Sequence, residues 1–421
     1  MKERIELSLV SSDWNRAFEK SFKHVRISKL KSGNWLRNHT KLLEFVKRFP
    51  EIQSILLDAP IEEMNSRDAQ TRHFSMDLVQ NLLNALPSSL KSFTISHFAC
   101  GLNTKSFELV LPEDKQLREL CLLNCKRADN LTISNCSHLN SLSITWTKFF
   151  PKMNLNELKN LKNLNISHNK GIDDEVLDNL MQHCTSLERL SLVGCESIST
   201  PFRNVSLTSL KVLDLSATNV TDGCLENICN AGAINLEDIK LRTCMSLVNP
   251  SFKDLPSIKF ILTNFNSHMT HASFFKLGNL ERIDLDGCTS LKKAYIFKCP
   301  SLTYLDMSKT LVSDEGLEET LQECKQLKSL LLTKCYKLKS PRIIHDNIEN
   351  LYLTNCSHLT IHTVLDCPSL VNKNVIGTVL MNDGENVFFR VPQREDIAEA
   401  AAVSKQGRVK KLLGEIHHRM L

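Results

Sequence analysis

The chain has 421 residues, 42% of them hydrophobic and 24% charged, with a formal net charge of +5. That length exceeds a usual single core and predicts two domains or one elongated repeat array, while so small an excess of positive charge gives no reason to expect nucleic acid. The opening MKERIELSLVSSD lacks the apolar centre of a signal peptide, and no run of about 18 apolar residues is available to span a membrane, so cytoplasm or nucleus is the expected location.

The 15 cysteines are odd in number, and a disulfide framework needs a secreted context, so reduced thiols are expected. Sequons such as Asn204-Val-Ser and Asn219-Val-Thr then carry no glycan.

Residues 1–50 form the expected N-terminal unit. Within them TKLLEFVKRF, from Thr40, sets Leu42, Leu43, Val46 and Phe49 at helical spacing. That pattern predicts a helix capping the first apolar edge of an array. From Ile52-Gln-Ser-Ile55-Leu-Leu57 a frame begins, L-x-x-L-x-L-x-x-C/N. After an insertion around IEEMNSRDAQTRH, its second apolar position recurs at Phe93, Leu120, Leu142, Leu164, Leu190, Leu213, Ile239, Ile261, Ile283, Leu305, Leu330 and Leu351. Successive copies are spaced by about 21 to about 27 residues, which is the period of leucine-rich repeats. The segment 51–370 is expected to hold about 13 such repeats.

In such a frame L-x-L is a short parallel strand with alternate side chains in the core. Each coil buries its apolar edge only against its neighbours. The Cys or Asn that ends the frame, as at Cys195, Cys244, Cys335 and Cys356, is expected to be a small, buried and inert side chain. Neither C-x-x-C nor a His/Cys cluster with zinc spacing occurs, so no metal or cofactor is expected.

The longer gaps, such as those after Leu164, Leu213 and Leu305, leave room for a helix, and shorter ones only for a turn or an extended segment. The helical copies start at Ile172, Val220 and Val312, with Asp173, Thr221 and Ser313 as N-caps. Acidic residues in the first turn of the first and third suit the helix dipole. Echoes at half spacing, at Leu131 and Ala294, predict that DNLTISNC and KKAYIFKC are strands on the outer side.

Strand residues between the core positions point to the concave face. Early in the array they are small or polar: Asn130, Thr132, Ser141, Ser143, Asn163, Asn165 and Ser167. From the middle onward they are Arg189, Asp214, Asp238, Lys240, Arg242, Phe260, Arg282, Asp284, Asp286, Tyr304 and Asp306, followed by Leu331 and Tyr352. Mixed charge beside aromatics is the composition of a protein-binding surface, and a solvated face with salt bridges such as Asp238 to Arg282 is its alternative. An open face gives Asp284 and Asp286 no shielding from water and no oxyanion donors, so no catalytic residue is assigned. No EF-hand-like loop is present for calcium.

Residues 371–421 are expected to close the array. Asn382-Asp383-Gly384 predicts a hairpin, and beyond Pro392 a helical tail carries Lys405, Arg408, Lys410, Lys411 and Arg419.

NVTDGCLENICNAGAINLEDIKLRTC and LVSDEGLEETLQECKQLKSLLLTKC resemble the cysteine-containing leucine-rich repeats of F-box proteins. LSLVSSDWNRAFEKSFKHVRI, from Leu7, is similar to the last helix of an F-box, where Leu9, Val10 and Trp14 fit the leucine-valine-x-x-x-tryptophan pattern. The leucine-proline opening of that motif is absent. Either the F-box is shortened, or the segment is a remnant or a plain cap.

The expected fold is therefore an α/β leucine-rich-repeat solenoid, curved, with parallel strands on the concave face and short helices or turns on the convex one. The expected partner is a protein on the concave face, not nucleic acid or membrane. The resemblance implies a non-enzymatic substrate-recognition subunit of a cullin-type ubiquitin ligase, its adaptor held by Leu9, Val10 and Trp14. The alternative is a free-standing interaction scaffold, inhibitor or host-mimicking effector.

Overall fold

A computed structural model describes residues 5–6, 23–28, 43–44, 46–47, 50–58, 76–96, 107–113, 116–123, 131–147, 152–153 and 155–381. One parallel sheet of 16 strands runs through them, from Ile5–Glu6 to Asn372–Asn374, each strand pairing with those of the coils before and after. The register follows the apolar frame. Leu142, Leu164, Leu190, Leu213 and Ile239 are paired in succession, and the column continues through Ile261, Ile283, Leu305, Leu330 and Leu351. All ten are at most 2% exposed, which explains why the frame keeps time: a slip of one residue would turn this whole column outward.

The other side of each coil depends on its length. The longer gaps after Leu164, Leu213 and Leu305 hold helices α2 (Asp174–His183), α3 (Asp222–Asn230) and α4 (Asp314–Glu323). A further helix, α1 (Met76–Ala85), precedes them and buries Val79, Leu82 and Leu83. The sequence frame reads that stretch only as an insertion. Several other coils return in extended form, and their outer strands pair into small parallel sheets. One joins Phe107–Val110, Leu131–Ser134 and Lys152–Met153; another joins Ser251–Phe252, His271–Phe275 and Lys293–Phe297; a third pairs Arg342–Ile344 with Val364–Asp366. The half-spacing echoes at Leu131 and Ala294 are these strands. Thr132 therefore lies on the outer sheet and not on the concave face.

The sheet begins earlier than the frame. His24–Ser28 pairs with Ser54–Asp58 on one side and with Ile5–Glu6 on the other, and Val25 is buried. The helical residues 43–44 and 46 thus lie inside a coil between two strands, with Val46 fully buried, and not ahead of the first strand. At the other end Asn372–Asn374 adds a strand beyond residue 370. The hairpin at Asn382-Asp383-Gly384 and the basic tail lie outside the described residues, as do Asn130, Leu9, Val10 and Trp14.

Two columns close each coil. One residue just after each of these strands has left-handed backbone: Trp146, His168, Gly194, Ala217, Thr243, Phe265, Gly287, Lys309, Lys334, Asn355 and Gly377, with φ between 55° and 75°. This conformation costs about 1 kcal/mol for a side chain with a Cβ, and here it turns the chain inward from the sheet. The next residue is then buried: Thr147, Asn169, Cys195, Thr218, Cys244, Asn266, Cys288, Thr310, Cys335, Cys356 and Thr378. Apart from Thr147, which donates to the Asn169 side chain, its polar atom donates to a backbone carbonyl that the turn leaves free. Cys195 Sγ reaches Ile166 O at 3.2 Å, Asn266 Nδ2 reaches Leu241 O at 2.8 Å and Thr263 O at 2.7 Å, and Thr310 Oγ1 reaches Met307 O at 2.7 Å. Burial pushes the Cys195 thiol up to about 11 and Cys288 to about 12, so these cysteines are protonated donors and not nucleophiles.

Candidate functional site

Side chains on the open face of the large sheet fall into three rows. The first, just before the buried column, runs Arg189, Val212, Asp238, Phe260, Arg282, Tyr304. The second, just after it, runs Asp214, Lys240, Leu262, Asp284, Asp306, Leu331, Tyr352. The third, two residues further on, holds Arg242, Asn264, Asp286 and Ser308 in neighbouring coils. The structure thus brings the 13 face residues expected from Arg189 to Tyr352 onto one surface.

They are not equally available. Asp284 and Asp306 are only 7% and 8% exposed. Their carboxylates fold back on the chain: Asp284 Oδ1 accepts from the Asp286 N–H at 3.2 Å, and Asp306 Oδ1 from the Ser308 N–H at 2.9 Å. Asp214 does the same with Ser216, as do Asn165 with Ser167 and Asn374 with Ile376. This position therefore supports the turn that leaves the strand. Desolvation raises the Asp306 carboxyl above its ordinary range, and the nearby Asp284 and Asp286 charges add to the rise.

The expected Asp238 to Arg282 bridge does not form, because the Phe260 coil stands between them. Each instead pairs along its own strand. Lys240 Nζ lies 3.5 Å from Asp238, Arg282 lies 3.4 Å from Asp284, and the Arg282 guanidinium also stacks 3.8 Å above the Tyr304 ring. Lys309 holds Asp286 at 2.9 Å. Arg189 and Arg242 are exposed and enter none of the ion pairs among the described residues.

Aromatic side chains at the left-handed positions escape the sequence frame, which treats those positions as turn. Trp146 is 43% exposed and stacks on His168, with ring centroids 4.0 Å apart. Phe265 is 45% exposed, and its ring occupies the space where a side chain at Gly287 would be. Gly287 is thus needed twice, for its positive φ and for the ring above it. The readable signal was FILTNF, a strand whose outward positions Phe260 and Leu262 are apolar.

Among the described residues no three His, Cys, Asp or Glu side chains are grouped to hold a metal ion. No helix among them is long and apolar enough to cross a membrane.

Fold and face together define a leucine-rich-repeat protein whose strands present one open, charged and aromatic surface. The chain belongs to the family described as FBD-associated F-box protein At5g56370, LRR repeats, whose model matches residues 109–262 and 246–391. It is 32% identical over 121 residues to the disease resistance-like protein CSA1 of Arabidopsis thaliana, a match covering 28% of this chain and 10% of that protein. The chain thus spans about a tenth of that relative's length. Among solved structures it is similar to a chain of the yeast Rad7 and Elc1 complex, at 15% identity and TM-score 0.34, covering 73% of this chain and 77% of that one. The leucine-rich repeat domain of the type III effector XopL is similar at 16% identity and TM-score 0.36, covering 66% and 83%.

Proposed function

We propose that the chain recognises a protein partner on its concave face, between Arg189 and Tyr352, and does so as the substrate-recognition part of a cullin-type ubiquitin ligase. The observation that carries the first half is the continuity of charged and aromatic residues over successive strands of one exposed sheet face. Tyr and Arg beside apolar groups are the side chains that dominate protein interfaces. Membership of a family described by an F-box protein supports the second half. In this reading the chain binds without catalysing, works in the cytoplasm or nucleus, and needs no cofactor. Leu9, Val10 and Trp14 would grip the adaptor.

Affinity purification of the tagged full-length gene product tests both halves. The cullin-linked adaptor and a substrate should co-purify, with Trp14→Ala losing the adaptor and keeping the substrate. Absence of adaptor and cullin from the wild-type eluate would remove the ligase role. Substrate capture unaffected by the double substitution Arg242→Glu and Phe260→Ala would remove the concave face.

A further inference from the structure

The residues just before successive strands of the large sheet form a column in which each N–H donates to the carbonyl of the previous member: Lys91 to Gln53, Arg118 to Lys91, Asn140 to Arg118, and so on to Val371. From Lys162 onward the column alternates in sign, through Glu188, Lys211, Glu237, Lys259 and Glu281. Glu188 meets Lys162 at 3.0 Å and Lys211 at 2.9 Å, Lys259 meets Glu237 at 2.8 Å, and further along Lys328 meets Glu349 at 3.0 Å. Nearer its start the column sets two cations side by side. Lys91 and Arg118 are neighbours, with the neutral Gln53 and Asn140 on either side, and neither enters an ion pair among the described residues. Like charges opposite one another on neighbouring strands destabilise a sheet, so this pair calls for an anion that the column does not supply.

Those two exposed cations border a depression of about 210 Å³, lined also by Ser88, Ser89, Leu90 and Gln116. Among the described residues no carboxylate lines it. Glu119 stands outward on the concave face, alternating with the buried Leu120, and Glu51 belongs to the preceding coil. Gln116 also departs from its equivalents. Asn160, Asn235, Asn279, Ser301 and Asn347, at the same place in later coils, each donate to a carbonyl of the coil before, whereas the Gln116 amide makes no such bond among the described residues. We infer that Lys91 and Arg118 hold a phosphate group in this depression, with the Gln116 amide and the Ser88 hydroxyl as further donors. Neighbouring strands lie about 4.8 Å apart, so one tetrahedral anion can accept from both cations, and the guanidinium fork of Arg118 offers it two parallel bonds. A phosphate monoester carries about −1.5 to −2 at pH 7 and so balances both charges, where a single carboxylate would leave one cation uncompensated.

The site lies in coils ahead of the stretch from Arg189 to Tyr352, and its occupancy does not depend on what that face binds. Titration calorimetry of the full chain at constant ionic strength tests it with inorganic phosphate, with N-acetyl-phosphoserine amide and with acetate. At least one phosphate probe should bind about ten-fold more tightly than acetate. Tighter binding of the phosphoserine amide would assign the group to a phosphorylated side chain, and tighter binding of inorganic phosphate to the free anion. Lys91→Gln and Arg118→Gln should each weaken that binding about ten-fold, and Lys328→Gln, in a distant coil, should leave it within about two-fold. Arg118→Glu gives Lys91 an acidic neighbour, as Glu188 gives Lys162, and should abolish phosphate binding without lowering the urea midpoint. Circular dichroism of each variant establishes that it is folded. Acetate binding as tightly as both phosphate probes, binding unchanged in the Lys91→Gln and Arg118→Gln double variant, or no binding of either phosphate probe would each overturn the assignment.

Discussion

Asp306 separates the two roles a carboxylate can have on this face. Its Oδ1 accepts the Ser308 N–H in a buried setting, so Asp306→Ala should cost about 1–3 kcal/mol by leaving that donor unpaired. Asp306→Asn should cost far less, because Asn165 and Asn374 make the same bond in their own coils. The pH dependence has a definite sign. The folded carboxyl is raised above its unfolded value, so the native state holds the proton more tightly. This group's contribution is most favourable at low pH and is lost as pH rises through the raised folded value, opposite to an ion-paired aspartate. Urea denaturation from about pH 4 to pH 7 should therefore show that loss in the wild type and not in Asp306→Asn. The buried thiols supply a second check. With Cys195 and Cys288 held near 11 and 12, a thiol reagent at about pH 8 should leave both unmodified in the native protein and modify them once urea is added.

Among the elements, the helices explain more than their caps do. Asp173 and Ser313 cap α2 and α4 through the Val176 and Gly316 N–H groups, while Thr221 makes no side-chain bond to α3. The residue after each cap reaches across to the next coil. Asp174 accepts from the Ser199 and Thr200 N–H groups at 2.9 Å, Asp222 from Val248 and Asn249, and Asp314 from Lys339 and Ser340. Each aspartate therefore ties two backbone donors of the following coil. Asp174→Ala should cost about 2 kcal/mol and raise amide exchange at Ser199 and Thr200 before it melts α2. Unchanged exchange at those amides would mean that the tie contributes nothing. The sequence showed Asp174 and Asp314 as dipole partners and gave Asp222 no role, because periodicity within a helix carries no information about which coil a carboxylate touches. The same limit hid α1, whose apolar residues Val79, Leu82 and Leu83 follow an insertion that breaks the frame.

For the whole molecule, the apolar frame was sufficient to read strand register from Phe93 to Leu351, since that depends on alternation alone, but it missed the strands at Ile5–Glu6, His24–Ser28 and Asn372–Asn374 that lengthen the sheet to 16. It could not read availability. Asp284 looks like a surface residue in the sequence yet is turned into the backbone, whereas Phe265, which the frame treats as turn, stands exposed above Gly287. The difference arises from the left-handed residue at the end of each strand, which no hydrophobic pattern encodes. The candidate surface accordingly moves from the aspartates towards Arg189, Arg242 and the aromatic coil that follows Arg242.

That repeated hinge also makes the molecule divisible. Phe265 and Gly287 occupy the same place in successive coils, so removing the segment 266–287 takes out one whole coil and joins equivalent points of two turns. The outer strand His271–Phe275 leaves with the coil, and Ser251–Phe252 can then meet Lys293–Phe297 in the same direction. Such a shortened chain should still unfold cooperatively in a urea titration, whereas deleting only half of that segment should abolish the transition. It would also bring Arg242 one strand spacing, about 4.8 Å, closer to the Tyr304 coil, changing the ruler while keeping its marks.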